Sequence, residues 1–143
     1  MQSIYDETLS IMQIGYNCAE TVMLMAGRYY LPEIGFSYSN LVTGFGGGMG
    51  RSREEACGAL TGSVTALNML VGRDDPSKSV DGIHPVIADF REIFIKEFDT
   101  TICNKLREGY EGEEATDMCQ KLTAKTVTML FDYLEEININ RKI

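Results

Sequence analysis

The 143-residue sequence has no clustered field of lysine and arginine, no apolar run near the ~18 residues that cross a membrane, no Cys-x-x-Cys pair and a single histidine. Each absence excludes a class of function. With 13 Lys and Arg against 21 Asp and Glu, the net charge is −8, so the phosphate backbone of a nucleic acid finds no matching surface. The start, Met1-Gln-Ser-Ile-Tyr-Asp, lacks both a basic segment and an apolar stretch. No signal peptide is therefore expected, and the protein is expected in the cytoplasm without membrane insertion. His84 stands alone between Ile83 and Pro85 in a turn, and no role is assigned to it. The carboxylates Glu111, Glu113, Glu114 and Asp117, and Asp132, Glu135 and Glu136, have no histidine partner and read as solvated helix faces.

A chain of this length can bury one core without staples, and a single domain over 1–143 is expected. Its apolar spacing is helical throughout. Residues 3–14 place Tyr5, Leu9 and Met12 on one side of a first helix. Asn17 then caps a second, with Cys18 at its first position, that ends at Pro32 and Gly35. A short helix over 38–43 follows the cap Ser37, and the polar run 72–82 is a connection of turn formers. Pro85 to Phe98 forms an amphipathic helix whose Phe90, Phe94 and Phe98 belong in the core. Thr100 caps a short helix with Cys103 at its third position, and a last helix runs from Glu113 or Thr116 to Ile137, with Cys119 in its first or second turn. With no strand visible, the expected fold is all-α, an irregular bundle of six to seven helices.

That bundle is expected to be organised around the stretch Gly44 to Gly72. Ser52 and Glu55 have the spacing of a capping box, which predicts a buried central helix over about 53–71 carrying Leu60, Val64, Leu67 and Val71 as one stripe. Gly58 and Gly62 would each cost an isolated helix about 1 kcal/mol relative to alanine. They point to close approach by another backbone or by a cofactor. The loop before them contains Gly46, Gly47, Gly48, Gly50 and Arg51, and is either a tight helix entry or a site for an anion or an anionic cluster. No strand precedes it, as a dinucleotide fingerprint would require. These loop residues, with Gly58 and Gly62, are the candidate cofactor-binding positions.

By this reading Cys18, Cys57, Cys103 and Cys119 fall within the first two turns of four different helices. Orphan N–H groups and the helix macrodipole favour negative charge there, so thiol pKa values below ~8.5 are expected. The separations of 39, 46 and 16 residues leave any pairing to the fold. Four distant cysteines can converge as two dithiol pairs, as zinc ligands or as ligands of an iron–sulfur cluster. Zinc is the weaker metal option, because zinc sites usually include closely spaced ligand pairs. Cysteines that pack as small buried hydrophobes are the plain alternative.

Cys18, the run Cys57-Gly-Ala-Leu-Thr-Gly62, Cys103 and Cys119 together resemble the C_GCAxxG_C_C family of redox-active proteins, as do Gly15-Tyr-Asn-Cys18-Ala-Glu20 and Gly46-Gly-Gly-Met-Gly-Arg51. The resemblance covers nearly the whole chain; here Ala56 precedes Cys57 and Gly58 follows it. It implies redox activity carried by the four cysteines with Gly58 and Gly62, and names no substrate. The expected function is thiol/disulfide or iron–sulfur-linked electron transfer, as a thiol-based oxidoreductase or an electron carrier, with a redox partner protein or a small thiol. The alternative is a helical metal-binding or protein-interaction module without catalysis. Helical surfaces this apolar also make a homodimer a reasonable assembly.

Overall fold

The computed structural model describes residues 2–34 and 38–143. Six α-helices follow one another: α1 (Ile4–Ile14), α2 (Cys18–Tyr30), α3 (Gly58–Val71), α4 (His84–Phe98), α5 (Cys103–Leu106) and α6 (Gly112–Glu136). Among the described residues no strand forms, and the one β-like feature is an isolated antiparallel bridge between Ala56 and Ile102. The architecture is all-α, as the helical period of the sequence requires.

Where a side chain caps the backbone, the helix begins where the sequence places it. Ser3 Oγ accepts the Asp6 N–H at the head of α1. At the head of α2, Asn17 Oδ1 accepts the Glu20 N–H at 2.9 Å while Glu20 Oε1 accepts the Asn17 N–H at 3.0 Å, a reciprocal capping box. The same two side chains reach further. Asn17 Nδ2 donates to the Thr43 carbonyl, and the Thr43 hydroxyl donates to Glu20 Oε2, which ties the approach to the glycine loop onto α2. The short helix predicted over 38–43 is instead two 3-10 turns, Ser39–Leu41 and Thr43–Phe45, neither with a side-chain cap. Gly35 and Ser37, assigned as helix end and cap, lie outside the described residues.

Helix α3 starts at Gly58, five residues later than the Ser52/Glu55 pair implies. The Ser52 hydroxyl donates to the Gly48 carbonyl and accepts from the Glu54 N–H, so it makes a turn and caps nothing. Arg53 sits at φ 66°, a left-handed conformation that cannot open a right-handed helix. The segment is then held extended from outside: the Cys57 N–H donates to the Thr101 carbonyl at 2.6 Å and the Cys103 N–H to the Glu55 carbonyl at 2.9 Å. The bridge also sets α5, where Cys103 is the first helical residue and not the third, because Thr100 Oγ1 accepts from Ile102 N–H and closes a turn.

The core lies where α2 and α3 meet α6 and α4. Val22, Leu24, Met25, Leu67, Phe90, Phe94, Leu130 and Leu134 are fully buried there. Helices α2 and α3 approach most closely at Gly62, where a Cβ would stand 2.8 Å from the Ala19 carbonyl oxygen and 2.9 Å from its Cα. Gly58 makes a second such approach, to the Cys18 sulfur and the Phe45 carbonyl. Of the two readings of these glycines, backbone proximity is the one observed. On the far side of α2 the buried Glu7 carboxylate accepts from Arg28 and from the Tyr29 hydroxyl, pinning α1 to α2.

Gly62→Ala separates the two readings of a helical glycine. An unconstrained site gains about 1 kcal/mol from alanine, whereas the contact with Ala19 gives a net loss of about 1–3 kcal/mol by overpacking. Urea denaturation checks the sign, and a stabilised variant would show that the two backbones are not in contact.

Candidate functional site

The glycine loop runs against the natural hand of the chain. Gly47, Gly48, Met49, Gly50 and Arg51 take φ of 67°, 69°, 67°, 61° and 59° in succession, and Arg53 takes 66°. For Met49, Arg51 and Arg53 this conformation costs about 1–3 kcal/mol each. It is fixed by its own hydrogen bonds: the N–H groups of Met49, Gly50, Arg51 and Arg53 donate to the carbonyls of Phe45, Gly44, Gly46 and Gly47. Those amides are spent inside the loop. Tightness explains Gly48, where a Cβ would lie 2.6 Å from the Cβ of Cys103.

Between this loop and the heads of the helices lies a cavity of about 560 Å³. All four cysteines line it, together with Gly46, Gly47, Gly50, Arg51, Arg53, Gly58 and Arg107. Each sulfur is delivered by a different element. Cys18 is the first residue of α2, Cys57 immediately precedes α3, Cys103 opens α5, and Cys119 lies two turns into α6. Cys57 and Cys103 are buried, whereas Cys18 and Cys119 are partly exposed, and all four are free thiols. Two candidate residues are absent from the lining: Gly48 packs on Cys103 and Gly62 on Ala19.

Two arginines reach the sulfurs. Arg107 Nη1 donates to Cys119 Sγ at 3.1 Å, and Arg53 Nη1 lies 4.0 Å from Cys103 Sγ. Arg107 is the residue that sequence reasoning missed. Its signal was present, because it follows Cys103 by four residues and so shares a face of the short helix with it.

The expectation of lowered thiol pKa values is overturned at two positions. Burial pushes the Cys18 thiol up, against hydrogen bonds from the Gly47 and Ala19 amides that pull it down, and negative charge on Cys119 or Cys103 raises it further. Burial raises Cys57 far more, with Cys18 adding to it and the Ala59 and Leu60 amides opposing. The amides at the helix starts thus act in the direction expected. They lose on magnitude: a helix terminus contributes about 0.3–1 kcal/mol to an exposed charge, less than one pKa unit, whereas burial shifts a group by up to about 3–5 units.

Among the described residues no group of three or more His, Cys, Asp or Glu is placed to hold a metal ion. The donor set itself, four thiols around one arginine-bearing cavity, has the chemistry of iron–sulfur ligation. No described helix is long and apolar enough to cross a membrane. A family model described as "Putative redox-active protein (C_GCAxxG_C_C)" matches residues 16–133, a span that contains all four cysteines. No curated protein and no solved structure matches.

A thiol whose folded pKa is raised stays protonated in the folded chain after it would ionise in the unfolded one. Its contribution to stability is therefore complete below the unfolded value of about 9.0 and is lost as pH rises above it toward the folded value. For Cys57 the slope is about 1.4 kcal/mol per pH unit above that point. Chemical denaturation between pH 8 and 10 should show the wild type losing stability more steeply than Cys57→Ala, and parallel profiles would refute the buried thiol.

Proposed function

The chain belongs to this family of redox-active proteins, and from that premise we propose that its four cysteines act as one redox centre exchanging two electrons between dithiol and disulfide. The observation that carries the reading is the single cavity onto which four thiols converge, three from helix starts and one from the long helix α6. Cys119 is the entry point. It is partly exposed and its sulfur accepts from the Arg107 guanidinium, a cation placed to stabilise negative charge on that sulfur as it reacts. Cys18 and Cys57, whose thiols burial favours in the protonated form, supply the resolving sulfur. Oxidation joins two of these sulfurs, releases two protons and passes two electrons to a redox partner protein or a small thiol compound in its disulfide form.

A second reading has its own support. Four sulfurs around a space of about 560 Å³ also suit an iron–sulfur cluster, held by Cys18, Cys57, Cys103 and Cys119 with Arg51, Arg53 and Arg107 offsetting its charge. Such a group would supply one-electron transfer, while the glycine-lined wall sets how near the loop backbone comes to it. A single zinc ion has less support, since no three of the donors are placed around one ion.

Anaerobic purification decides between the two. The thiol reading expects a colourless protein with four titratable thiols that fall to two with one equivalent of a mild oxidant, and in Cys119→Ser oxidation at least about tenfold slower. Visible absorption with matching iron and sulfide would replace it by the cluster. Thiols that neither oxidise nor hold metal would leave a helical module whose cysteines only pack.

A further inference from the structure

The charge of the cavity runs against that of the chain. Acidic residues outnumber basic ones by 21 to 13 overall, yet the cavity is lined by Arg51, Arg53 and Arg107 and by no Asp or Glu. None of the three arginines enters an ion pair among the described residues, whose pairs use Arg28, Arg91 and three lysines. Two of the three point a guanidinium nitrogen at a cysteine sulfur. Glycine-loop amides do not compensate, because those of residues 49–51 and 53 are bonded internally. Three cations without a carboxylate partner around one concavity of about 560 Å³, a volume usual for small-molecule sites, favour an anionic occupant. The remaining walls include the apolar side chains of Met12, Leu106, Met118 and Leu122.

We propose that the cavity binds a small organic disulfide carrying negative groups, with Arg51, Arg53 and Arg107 holding its charge while Cys119 attacks its sulfur. This rests on the thiol/disulfide reading of the site and adds the class of substrate. The Cys119 thiolate attacks one sulfur of R–S–S–R; the S–S bond breaks, Cys119–S–S–R forms, and R–S⁻ leaves and takes a proton from solvent. A second cavity thiol loses its proton to solvent and attacks the Cys119 sulfur, which forms a protein disulfide and releases the other R–S⁻. The two cysteines are oxidised and the substrate is reduced to two thiols. Cys18, which lines the same cavity and feels charge on Cys119, is a candidate for the second thiol.

The test compares three disulfides of similar size: 3,3′-dithiodipropionate, which is anionic, 2-hydroxyethyl disulfide, which is neutral, and cystamine, which is cationic. The full-length protein is reduced anaerobically, and mixed-disulfide formation at Cys119 is timed by mass spectrometry. In the wild type the anionic reagent should react at least about tenfold faster than the cationic one, with the advantage shrinking as salt rises. Arg51→Gln and Arg51→Gln/Arg53→Gln should bring that ratio progressively toward one, and Arg73→Gln, in the distant 72–82 connection, should leave it unchanged. Arg51 is exposed, so its variant folds even where a change at Arg107 does not. If the neutral reagent reacts and all three rates are equal, or the arginine variants keep the wild-type ratio, the anion site is overturned and the thiol reading stands. If the neutral reagent fails to react at all, both fall together.

Discussion

The site depends on how closely two helices can lie. Helix α2 carries Cys18 at its head and α3 follows directly on Cys57, and the two helices touch backbone to backbone at Ala19 and Gly62. Any side chain at Gly58 would occupy the position of the Cys18 sulfur. The two glycines cost helix propensity, and what offsets that cost is the chance to set two sulfur-bearing helix starts side by side. Ala19 and Ala59, both fully buried, keep the seam narrow on either side. The other two cysteines are brought up by separate devices: Cys103 by the Ala56–Ile102 bridge and Cys119 by the length of α6.

Packing of this kind determines the electrostatics. Depth keeps two thiols neutral even though helix amides point at them, while the two arginines reach the sulfurs of Cys103 and Cys119. The result is an uneven set of sulfurs, Cys18 and Cys57 favoured in the protonated form and Cys103 and Cys119 each facing a guanidinium. Such unevenness suits exchange chemistry, in which one sulfur must attack and another must wait. It follows from where each sulfur sits and which side chains face it, and not from any difference in residue type.

Much of the fold was legible in the sequence because it is governed by local rules. The period of apolar residues predicted six to seven helices where six α-helices are described, and the cap Asn17 located the head of α2 to the residue. The same rule misled at Ser52/Glu55, where the spacing is right but the backbone is not. Arg53 has positive φ, and the distant carbonyls of Thr101 and Glu55 take the N–H groups of Cys57 and Cys103. Long-range hydrogen bonds leave no mark in a local pattern, which is why α3 was read five residues too long and Cys103 two positions too deep. The cysteines could be singled out from order and context, but their burial could not, so the direction of two pKa shifts was read from the dipole alone. Arg107 was overlooked because its sulfur partner, Cys119, lies on another helix.

The distribution of the four sulfurs along the chain governs when the centre comes into being. Cys18 and Cys57 are made well before Cys103 and Cys119, and the last of these lies on a long helix that must itself dock before Arg107 can meet it. A growing chain on the ribosome therefore carries Cys18 and Cys57 without the later segments that enclose them, and closing the loop from Ala56 to Ile102 adds a chain-entropy cost that later contacts must offset. Protection of these thiols is a property of the finished molecule, and the nascent one depends on the reducing power of its surroundings.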